Sequence, residues 1–488
     1  MTTGSALTGL DSVRALLAEA DPKGSLVPCG LQELIVGSDV LGRVADAVTS
    51  VSPAFAGDSR RVVVLVDETP ILRRSPDGLT QDVKDEVVRV LSAESDVHRA
   101  VLSDGHPELH VTASVVDDAC AACQGADVIV AVGGGTISDI AKLAAAALPG
   151  IPVVTVMTAA SVDGYSDNVS VTLKDGVKRT VPSVWPDVVL ADAETVAGAP
   201  SRMNRAGYGE MTSMYVAPAD WRLAALVEVD MSFHPGPVVL LDALGAGLDE
   251  SAPGIGDGDP EAVQRLTWAL TLRGIATGVA GSTACLSGVE HLVSHMLDLR
   301  AAQLHLPTGL HGEQVGAGSV IAACAWEMLH ERLAAAPASR VVPATLDPDA
   351  AEELVHAAFD PLDRTGRISH ECWRDYSRKL TRITERLPRV NEVLAGWSGH
   401  AGELQAMVRP SHVIARGLAS AGTPVVLEDL GPDVDASTAR WAVQNCGLMR
   451  DRFTVVDLLT VLDWWQPADV DEVEARVNDA VARAGAGA

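Results

Sequence analysis

Residues Asp127 to Ala147 read DVIVAVGGGTISDIAKLAAAA, and this stretch decides the fold class. An apolar run typical of a buried strand comes first, and good helix formers behind a Ser/Thr-rich start come last. Gly133, Gly134 and Gly135 lie between the two. Such a turn lets the backbone approach a pyrophosphate, with the first helical N–H groups directed at the anion. The spacing departs from GxGxxG, so a tight turn without a ligand stays an alternative at this point.

Short β-branched runs alternate with helical patterns around this stretch, through the first 200 residues. This alternation is typical of βαβ units, and we predict an α/β domain with a parallel sheet. The predicted strands are 61–67, 109–112, 127–132 and 151–156, followed by a hairpin of 170–173 with 177–181. The predicted helices are 82–92, 118–124 and 136–147.

From about Ser201 onward the sequence changes to long patterns rich in Ala, Leu and Val, with Pro and Gly between them. Strand signals nearly vanish, which indicates helices packed on helices. We therefore predict two domains, an α/β nucleotide-binding domain over residues 1–200 and an all-α domain over residues 201–488.

Composition excludes some classes of partner. The chain has 37 Lys and Arg against 65 Asp and Glu, a net charge of −28, which disfavours nucleic acid and anionic membranes. The apolar stretch Leu143 to Ala160 is interrupted by Pro149, Gly150 and Pro152, so it cannot form one spanning helix. The first residues lack the basic start and apolar core of a secretory signal. The seven scattered cysteines favour a reducing compartment, and we predict a cytoplasmic protein.

Metal-binding chemistry is concentrated in the helical part. Glu210, in GYGE, is predicted to open a helix, and His291 and His295 are one helical turn apart in SGVEHLVSH. Pro307 breaks the chain before His311, so an antiparallel return would bring that residue opposite. Two imidazoles and a carboxylate leave a fourth position of a zinc-like ion open for substrate. On spacing alone, histidines that cap or pack helices are the alternative.

Charged residues also follow the last strands of the α/β part. Asp163 lies beyond strand 151–156, on the rim where open α/β sheets bind ligands, although an Asx-turn role is the alternative. Lys178 and Arg179 lie in the hairpin, in a region otherwise poor in positive charge. They are candidates for binding a phosphate, and solvated surface side chains are the alternative.

Several segments, taken together and in order, resemble the sn-glycerol-1-phosphate dehydrogenases of archaea and some bacteria. That family lies within the superfamily of iron-containing alcohol dehydrogenases, glycerol dehydrogenases and dehydroquinate synthases. The resemblance extends from about residue 130 to 460 and so covers most of the chain. The matching stretches are VGGGTISDIAK (132–142), TAASVDGYSDNVS (158–170), KRTVPS (178–183), ADAETVAGAPSRMNRAGYGE (191–210), ADW (219–221), SGVEHLVSH (287–295), LHGEQVG (310–316) and RDRFTVVDLL (450–459).

The resemblance implies a dehydroquinate synthase-like fold, with the active site between a nucleotide-binding domain and a helical metal- and substrate-binding domain. It implies NAD(H) or NADP(H), one divalent ion (Zn, Ni, Fe or Mn) and a small phosphorylated substrate. The implied cofactor-binding residues are Asp67, Gly133, Gly134, Gly135, Ser138, Asp139, Thr158 and Ser161. The implied metal ligands are Glu210, His291 and His311, the implied catalytic residues Asp163 and His295, and the implied phosphate-binding residues Lys178 and Arg179.

The reaction implied is reduction of dihydroxyacetone phosphate to sn-glycerol 1-phosphate by hydride from the nicotinamide. Two residues depart from the family pattern: Glu210 stands where Asp is normal, and Met214 where Lys is common. Dehydroquinate synthases have Glu as that ligand and a His one turn after the first metal His, as His295 is here. A sugar-phosphate cyclase, a related dehydrogenase with another small substrate, or a non-catalytic binding protein therefore stay alternatives. NADH or NADPH, the metal, and a homodimer or higher homo-oligomer are left open.

Overall fold

The computed structural model describes residues 7, 9–53, 59–74, 80–174, 177–335 and 346–486. The chain divides into two compact units, Met1–Tyr208 with Pro235–Gly281, and Gly209–His234 with Ser282–Ala488. The domain boundary at residues 200 and 201 stays a prediction. The division seen here differs from it in the segment 235–281, which packs with the first unit.

Ten strands lie in the described part of the first unit. They are β1 (Glu33–Gly37), β2 (Arg60–Val66), β3 (Leu72–Arg74), β4 (Thr80–Asp82), β5 (Ser95–Val101), β6 (Val128–Gly133), β7 (Val153–Met157), β8 (Val169–Lys174), β9 (Val177–Pro182) and β10 (Val188–Asp192).

The α-helices of the described residues extend over both units. They are α1 (Leu10–Ala20), α2 (Val44–Val51), α3 (Val83–Leu91), α4 (Ala113–Ala122), α5 (Gly135–Ala147), α6 (Ala193–Ala197), α7 (Ser201–Met211), α8 (Ala217–Leu226), α9 (Pro235–Asp242), α10 (Gly245–Asp257), α11 (Pro260–Ala280), α12 (Val289–Leu304), α13 (His311–Ala335), α14 (Pro348–Phe359), α15 (Arg367–Ala395), α16 (Trp397–Ala406), α17 (Ser411–Ala421), α18 (Ala436–Asn445), α19 (Val455–Val461) and α20 (Pro467–Ala486). Among these helices, none combines the length and the apolar character that crossing a bilayer requires.

A six-stranded sheet in the order β1-β10-β7-β6-β2-β5 organises the first unit, and every pair in it is parallel. Strands β6, β7 and β10 are buried throughout, as expected when helices cover both faces of a parallel sheet. The predicted α/β class is confirmed, and so are the strands now seen as β2, β6 and β7. The hairpin is confirmed as β8 and β9, which pair antiparallel.

The strand predicted at residues 109–112 is wrong. The structure forms β5 at Ser95–Val101 instead, at the edge of the sheet and next to β2. Most residues of β5 are at least partly exposed, so it reads SDVHRAV and lacks a continuous apolar run. Strands β1 and β10 also escaped prediction.

Strand register brings the ends of three neighbouring strands to one edge of the sheet. Leu65 lies opposite Ala131, so Asp67, two residues further on, is level with Gly133. Gly133 in turn lies opposite Met157, the residue before Thr158. The turns after β2, β6 and β7 therefore lie side by side at the carboxyl end, where open α/β sheets bind ligands.

Close helix contacts in the second unit depend on glycines. A Cβ added at Gly318 of α13 would lie 2.7 Å from the carbonyl oxygen of Glu290 in α12. A Cβ at Gly209 of α7 would lie 2.2 Å from the carbonyl oxygen of Gly312 in α13. Helix α13 therefore touches α12 and the end of α7 backbone to backbone, a separation that only glycine permits.

Candidate metal centre and nucleotide turn

Three helices carry the predicted metal ligands in the second unit. His291 is the third residue of α12, and His311 is the first residue of α13. Glu210 is the penultimate residue of α7, so the prediction that it opens a helix is wrong. The glycines on both sides of position 210 favoured a helix start in the sequence, but Gly207 and Gly209 serve close packing within a continuing helix.

The ligand atoms of these three side chains converge. His291 Nε2 lies 3.4 Å from Glu210 Oε1, and His311 Nε2 lies 3.7 Å from Glu210 Oε2. All three ligand atoms lie within 4.8 Å of one another. Two ligands bound about 2.0–2.1 Å from a tetrahedral ion are about 3.4 Å apart, whereas N–H···O hydrogen bonds are shorter. The spacing therefore suits ligands of one shared ion.

Hydrogen bonds on the far side of each ring fix the histidine tautomers. His291 Nδ1 lies 2.9 Å from Glu290 Oε1, a carboxylate that accepts its proton. Ser294 Oγ donates to Gln314 Oε1 at 2.7 Å, so its oxygen accepts from His311 Nδ1 at 3.0 Å. When a divalent ion takes the place of any proton on Nε2, both Nε2 atoms would present a lone pair to that ion, which is what a metal ligand must do. The donor set thus fits a divalent ion.

The electrostatic setting also favours a cation. Glu210, Glu290 and Asp220 are all buried, at 2%, 0% and 1% exposure. Burial lowers the pKa of His291, but hydrogen bonds and charge from Glu210 and Glu290 outweigh it and raise the pKa to about 9. Burial and the charge of Glu290 raise the pKa of Asp220 to about 8. A bound divalent ion would favour the ionised form of these buried carboxyl groups.

His295 lies beside the two histidine ligands. Its ring centroid is 6.3 Å from that of His291 and 6.0 Å from that of His311, with the latter pair nearly parallel. This arrangement follows from the one-turn spacing on α12. The catalytic role of His295 stays a prediction.

The glycine turn in the first unit has the form that a phosphate requires. Helix α5 begins at Gly135, its N-cap residue is Gly134, and no side chain caps this end. A Cβ added at Gly134 would meet nothing within 4 Å, whereas one at Gly135 would lie 2.8 Å from Val162. Because the first N–H groups of a helix have no intrahelical partner, this open end fits an anion.

Asp139 and Ser138, next to this turn, are used to hold neighbouring loops. Asp139 Oδ2 accepts from Val171 N at 3.0 Å, which ties β8 to α5. Ser138 Oγ lies 3.4 Å from the carbonyl oxygen of Gly164. The fully buried Lys142 donates to Asp167 Oδ1 at 2.6 Å and pairs with Asp139. Cofactor contact by Ser138 and Asp139 therefore stays a prediction beside this structural role.

Two ion pairs of the first unit could not be predicted from the sequence. Lys84 of α3, 1% exposed, contacts the carboxylate of Asp67 at the end of β2. Arg273 of α11, 2% exposed, contacts the carboxylate of Asp163. Neither cation has a sequence signal, because each comes from a helix distant from the turn that it reaches. Cofactor contact by Asp67 and catalysis by Asp163 stay predictions.

The remaining predicted residues are placed as follows. Thr158 and Ser161 follow β7 and are buried, at 5% and 9% exposure. Arg179 lies on β9 and is partly buried, and its backbone carbonyl accepts from Thr172 Oγ1 at 3.3 Å. The side chain of Lys178 lies outside the described residues. Phosphate binding by Lys178 and Arg179 stays a prediction.

Comparisons with known proteins identify the family of the chain. A family model described as iron-containing alcohol dehydrogenase matches residues 36–200. A glycerol-1-phosphate dehydrogenase [NAD(P)+] of Haloquadratum walsbyi is 31% identical over 295 residues, which cover 60% of this chain and 76% of that relative. The chain belongs to the glycerol-1-phosphate dehydrogenase family. Another member, from Pyrococcus furiosus, is 36% identical over 241 residues, 49% of this chain.

For several members of the glycerol-1-phosphate dehydrogenase family the match is partial. It spans 66% of the Pyrococcus furiosus relative, 60% of the one from Methanothrix thermoacetophila and 58% of the one from Thermococcus kodakarensis. Among solved structures, a probable glycerol dehydrogenase from Sinorhizobium meliloti is similar with a TM-score of 0.54 and 18% identity, covering 93% of this chain and 98% of that one. A glycerol dehydrogenase from Schizosaccharomyces pombe gives 0.55 at 15% identity, covering 93% and 90%. These structures support the fold alone.

Proposed function

We propose that the chain is a metal-dependent, NAD(P)-linked dehydrogenase that reduces dihydroxyacetone phosphate to sn-glycerol 1-phosphate. The observation that carries this proposal is the convergence of His291 Nε2 and His311 Nε2 on the Glu210 carboxylate, with each Nδ1 bonded on the far side of its ring. The named activity of the relatives supports the substrate. The net reaction consumes the ketone, reduced nicotinamide and one proton, and yields the alcohol and oxidised nicotinamide.

Residues of the second unit would prepare the site for the ketone. A bound divalent ion supplies a Lewis acid for a carbonyl oxygen, and a bound nicotinamide supplies the hydride. Glu290 and Ser294 hold the rings of His291 and His311 in one orientation. We assign His295 to hydrogen bonding with the substrate, because its ring lies next to both ligand rings.

The turn after β6 is the proposed site of the pyrophosphate. Its support is the uncapped start of α5 together with the open space at Gly134. Asp67, level with Gly133 at the same edge of the sheet, is the proposed partner of the adenosine ribose. Thr158 and Ser161, after the adjacent strand β7, are the proposed contacts near the nicotinamide.

A direct assay tests the reaction. The purified chain is stripped with chelator, reloaded with zinc and mixed with dihydroxyacetone phosphate and NADH or NADPH. We expect the absorbance of the reduced cofactor to fall steadily and sn-glycerol 1-phosphate to accumulate. The same protein is also incubated with a heptulose phosphate. If phosphate is released from that substrate and the cofactor shows no net oxidation in either assay, the chain is a cyclase and not a dehydrogenase.

Variants at position 210 connect the assay to the site. Glu210→Gln keeps the size of the side chain but removes its charge, so zinc and activity should both be lost. Glu210→Asp restores the carboxylate, with a reach shorter by one methylene group. Full activity in Glu210→Gln would contradict the proposed centre.

A further inference from the structure

We propose that Asp220 is a positioning residue of the metal centre, which sets where α12 presents His291 relative to α13. The proposal rests on the proposed function, since it concerns the same metal site. Asp220 lies on α8 within the ADW segment, is 1% exposed and touches none of the three ligands in the described contacts. It acts through the helices that carry them.

The two oxygens of Asp220 bind three helices at once. Oδ2 accepts from the backbone N–H of Val289 at 3.1 Å, and Val289 is the first residue of α12. Oδ1 accepts from the N–H of Val455, the first residue of α19, at 2.8 Å. Oδ1 also accepts from Nε1 of Trp326 in α13 at 3.1 Å. A carboxylate at a helix N-terminus satisfies an orphan N–H and interacts favourably with the helix dipole.

The bond to α12 is close to the metal ligand. Val289 is two residues before His291. The N-cap residue Gly288 has no side chain that could accept from the first N–H groups of the helix, and Asp220 accepts from that of Val289 instead. A Cβ added at Gly288 would lie 2.3 Å from Asp220 Oδ2 and 3.0 Å from Glu290 Oε2. The Asp220 carboxylate is therefore packed directly against the turn that carries Glu290 and His291.

The hydrogen bond from Trp326 to Asp220 holds α13 at a point far along the helix from His311. Trp326 follows His311 on α13 by about four turns, or roughly 22 Å at 1.5 Å per residue. Between these two residues, Gly318 contacts the backbone of Glu290. The Asp220 carboxylate thus holds both the start of α12 and the distal part of α13. Because the two helices also touch at Gly318, their position relative to each other sets the distance between His291 and His311.

Zinc titration of the full chain tests this role. Zinc is titrated by calorimetry into chelator-stripped wild type, His291→Ala and Asp220→Asn. In Asp220→Asn the amide oxygen can still accept on one side. The amide NH₂ group on the other side would face either the N–H of Val289 or the N–H groups of Val455 and Trp326, and it cannot accept from them. We expect zinc binding to be lost in His291→Ala and weakened about 10-fold or more in Asp220→Asn, the range of outer-shell changes.

A matched control separates positioning from general destabilisation. Glu327 lies on α13 and, like Asp220, accepts from the first N–H of a helix, here that of Ser411 in α17, at 2.8 Å. Glu327→Gln should lower the melting temperature, as Asp220→Asn does, yet keep the zinc dissociation constant within about twofold. Equal zinc affinity in Asp220→Asn and wild type would overturn the inference, as would an equal loss in both variants. Absence of zinc binding in wild type would instead overturn the proposed function.

A second pair of variants covers the case in which Asp220→Asn does not fold. Proline is tolerated at the first position of a helix, where it removes only the N–H. Val289→Pro removes the donor on α12, and Val455→Pro removes the donor on α19, which carries no proposed ligand. Val289→Pro should weaken zinc binding more than Val455→Pro does. Equal effects would show that α12 is not the element through which Asp220 acts.

Discussion

The proposed nucleotide-binding turn after β6 and the candidate metal centre are built in opposite ways. The turn is a continuous stretch, in which β6 ends at Gly133 and α5 begins at Gly135. The candidate metal centre takes Glu210, His291 and His311 from three different helices. A site formed by one continuous stretch should therefore tolerate changes elsewhere in its unit. A site assembled from several helices should depend on every contact that sets the distance between those helices.

Removal of a ligand should have the largest effect. His311→Ala takes away one of three donors, so zinc affinity should fall by more than the roughly 100-fold upper range of outer-shell changes. The fold should survive, because the ring is at the first residue of α13 and its side chain is 26% exposed. Calorimetry and circular dichroism measure the two quantities. His330→Ala, on the same helix, is the control and should keep its zinc.

Helix separation should matter next. Gly318→Ala places a methyl group 2.7 Å from the carbonyl oxygen and 2.9 Å from the Cα of Glu290, so α12 and α13 must move apart. Overpacking of this kind costs about 1–3 kcal/mol of unfolding free energy, and zinc affinity should fall with it. Urea unfolding and zinc titration are the measurements.

The control for Gly318 is a glycine without close neighbours. A Cβ at Gly402 in α16 would meet nothing within 4 Å. Gly402→Ala should therefore be neutral or stabilise by up to about 1 kcal/mol, from helix propensity alone. If Gly318→Ala behaved in the same way, the assembled site would be less sensitive to helix spacing than the structure indicates.

The nucleotide turn should respond only locally. Gly134→Ala points a methyl group into open space, so stability should be unchanged while NADH affinity falls roughly tenfold, about 1.4 kcal/mol. Gly133→Ala would place its Cβ 2.8 Å from Ile137, which should destabilise the first unit as well. Fluorescence titration with NADH and thermal melting measure the two effects. Unchanged NADH affinity in Gly134→Ala would remove the pyrophosphate from this turn.

A pH experiment on a helix cap should give the smallest effect. Asp435 caps α18, where the N–H of Thr438 and the hydroxyls of Thr438 and Ser437 hold its pKa at about 2. Because the folded-state pKa is below the unfolded value of about 3.9, the ionised cap stabilises the fold above that pH. This contribution is lost as pH falls through the range between these values. The melting temperature of Asp435→Ala should therefore be lower than that of wild type at neutral pH, and the difference between the two melting temperatures should disappear toward pH 2. A difference in melting temperature that does not change with pH would show that the charge of Asp435 does not stabilise the fold.

The parts of this protein that could be read from the sequence are those with a local cause. Strand β6, the glycines and α5 were predicted because each pattern is completed within a few residues. The edge strand β5 was missed because its exposed side chains give no apolar run. The three candidate metal ligands were proposed from residue type and spacing, and a family resemblance supported them. The helical context predicted for Glu210 was wrong because close packing at Gly209 has no counterpart in local turn signals.

The sequence by itself determined the α/β class of the first region, the helical character of the second, and the residue types able to hold an ion and a nucleotide. Which nitrogen of each histidine faces Glu210 depends on the tertiary structure, because folding brings Glu290 and Ser294 to the rings and Gln314 to Ser294. The tertiary structure also decided that Lys84 meets Asp67 and that Asp220 joins three helices. The physical reason is that hydrogen bonds and ion pairs depend on distance in space, which local sequence patterns do not encode.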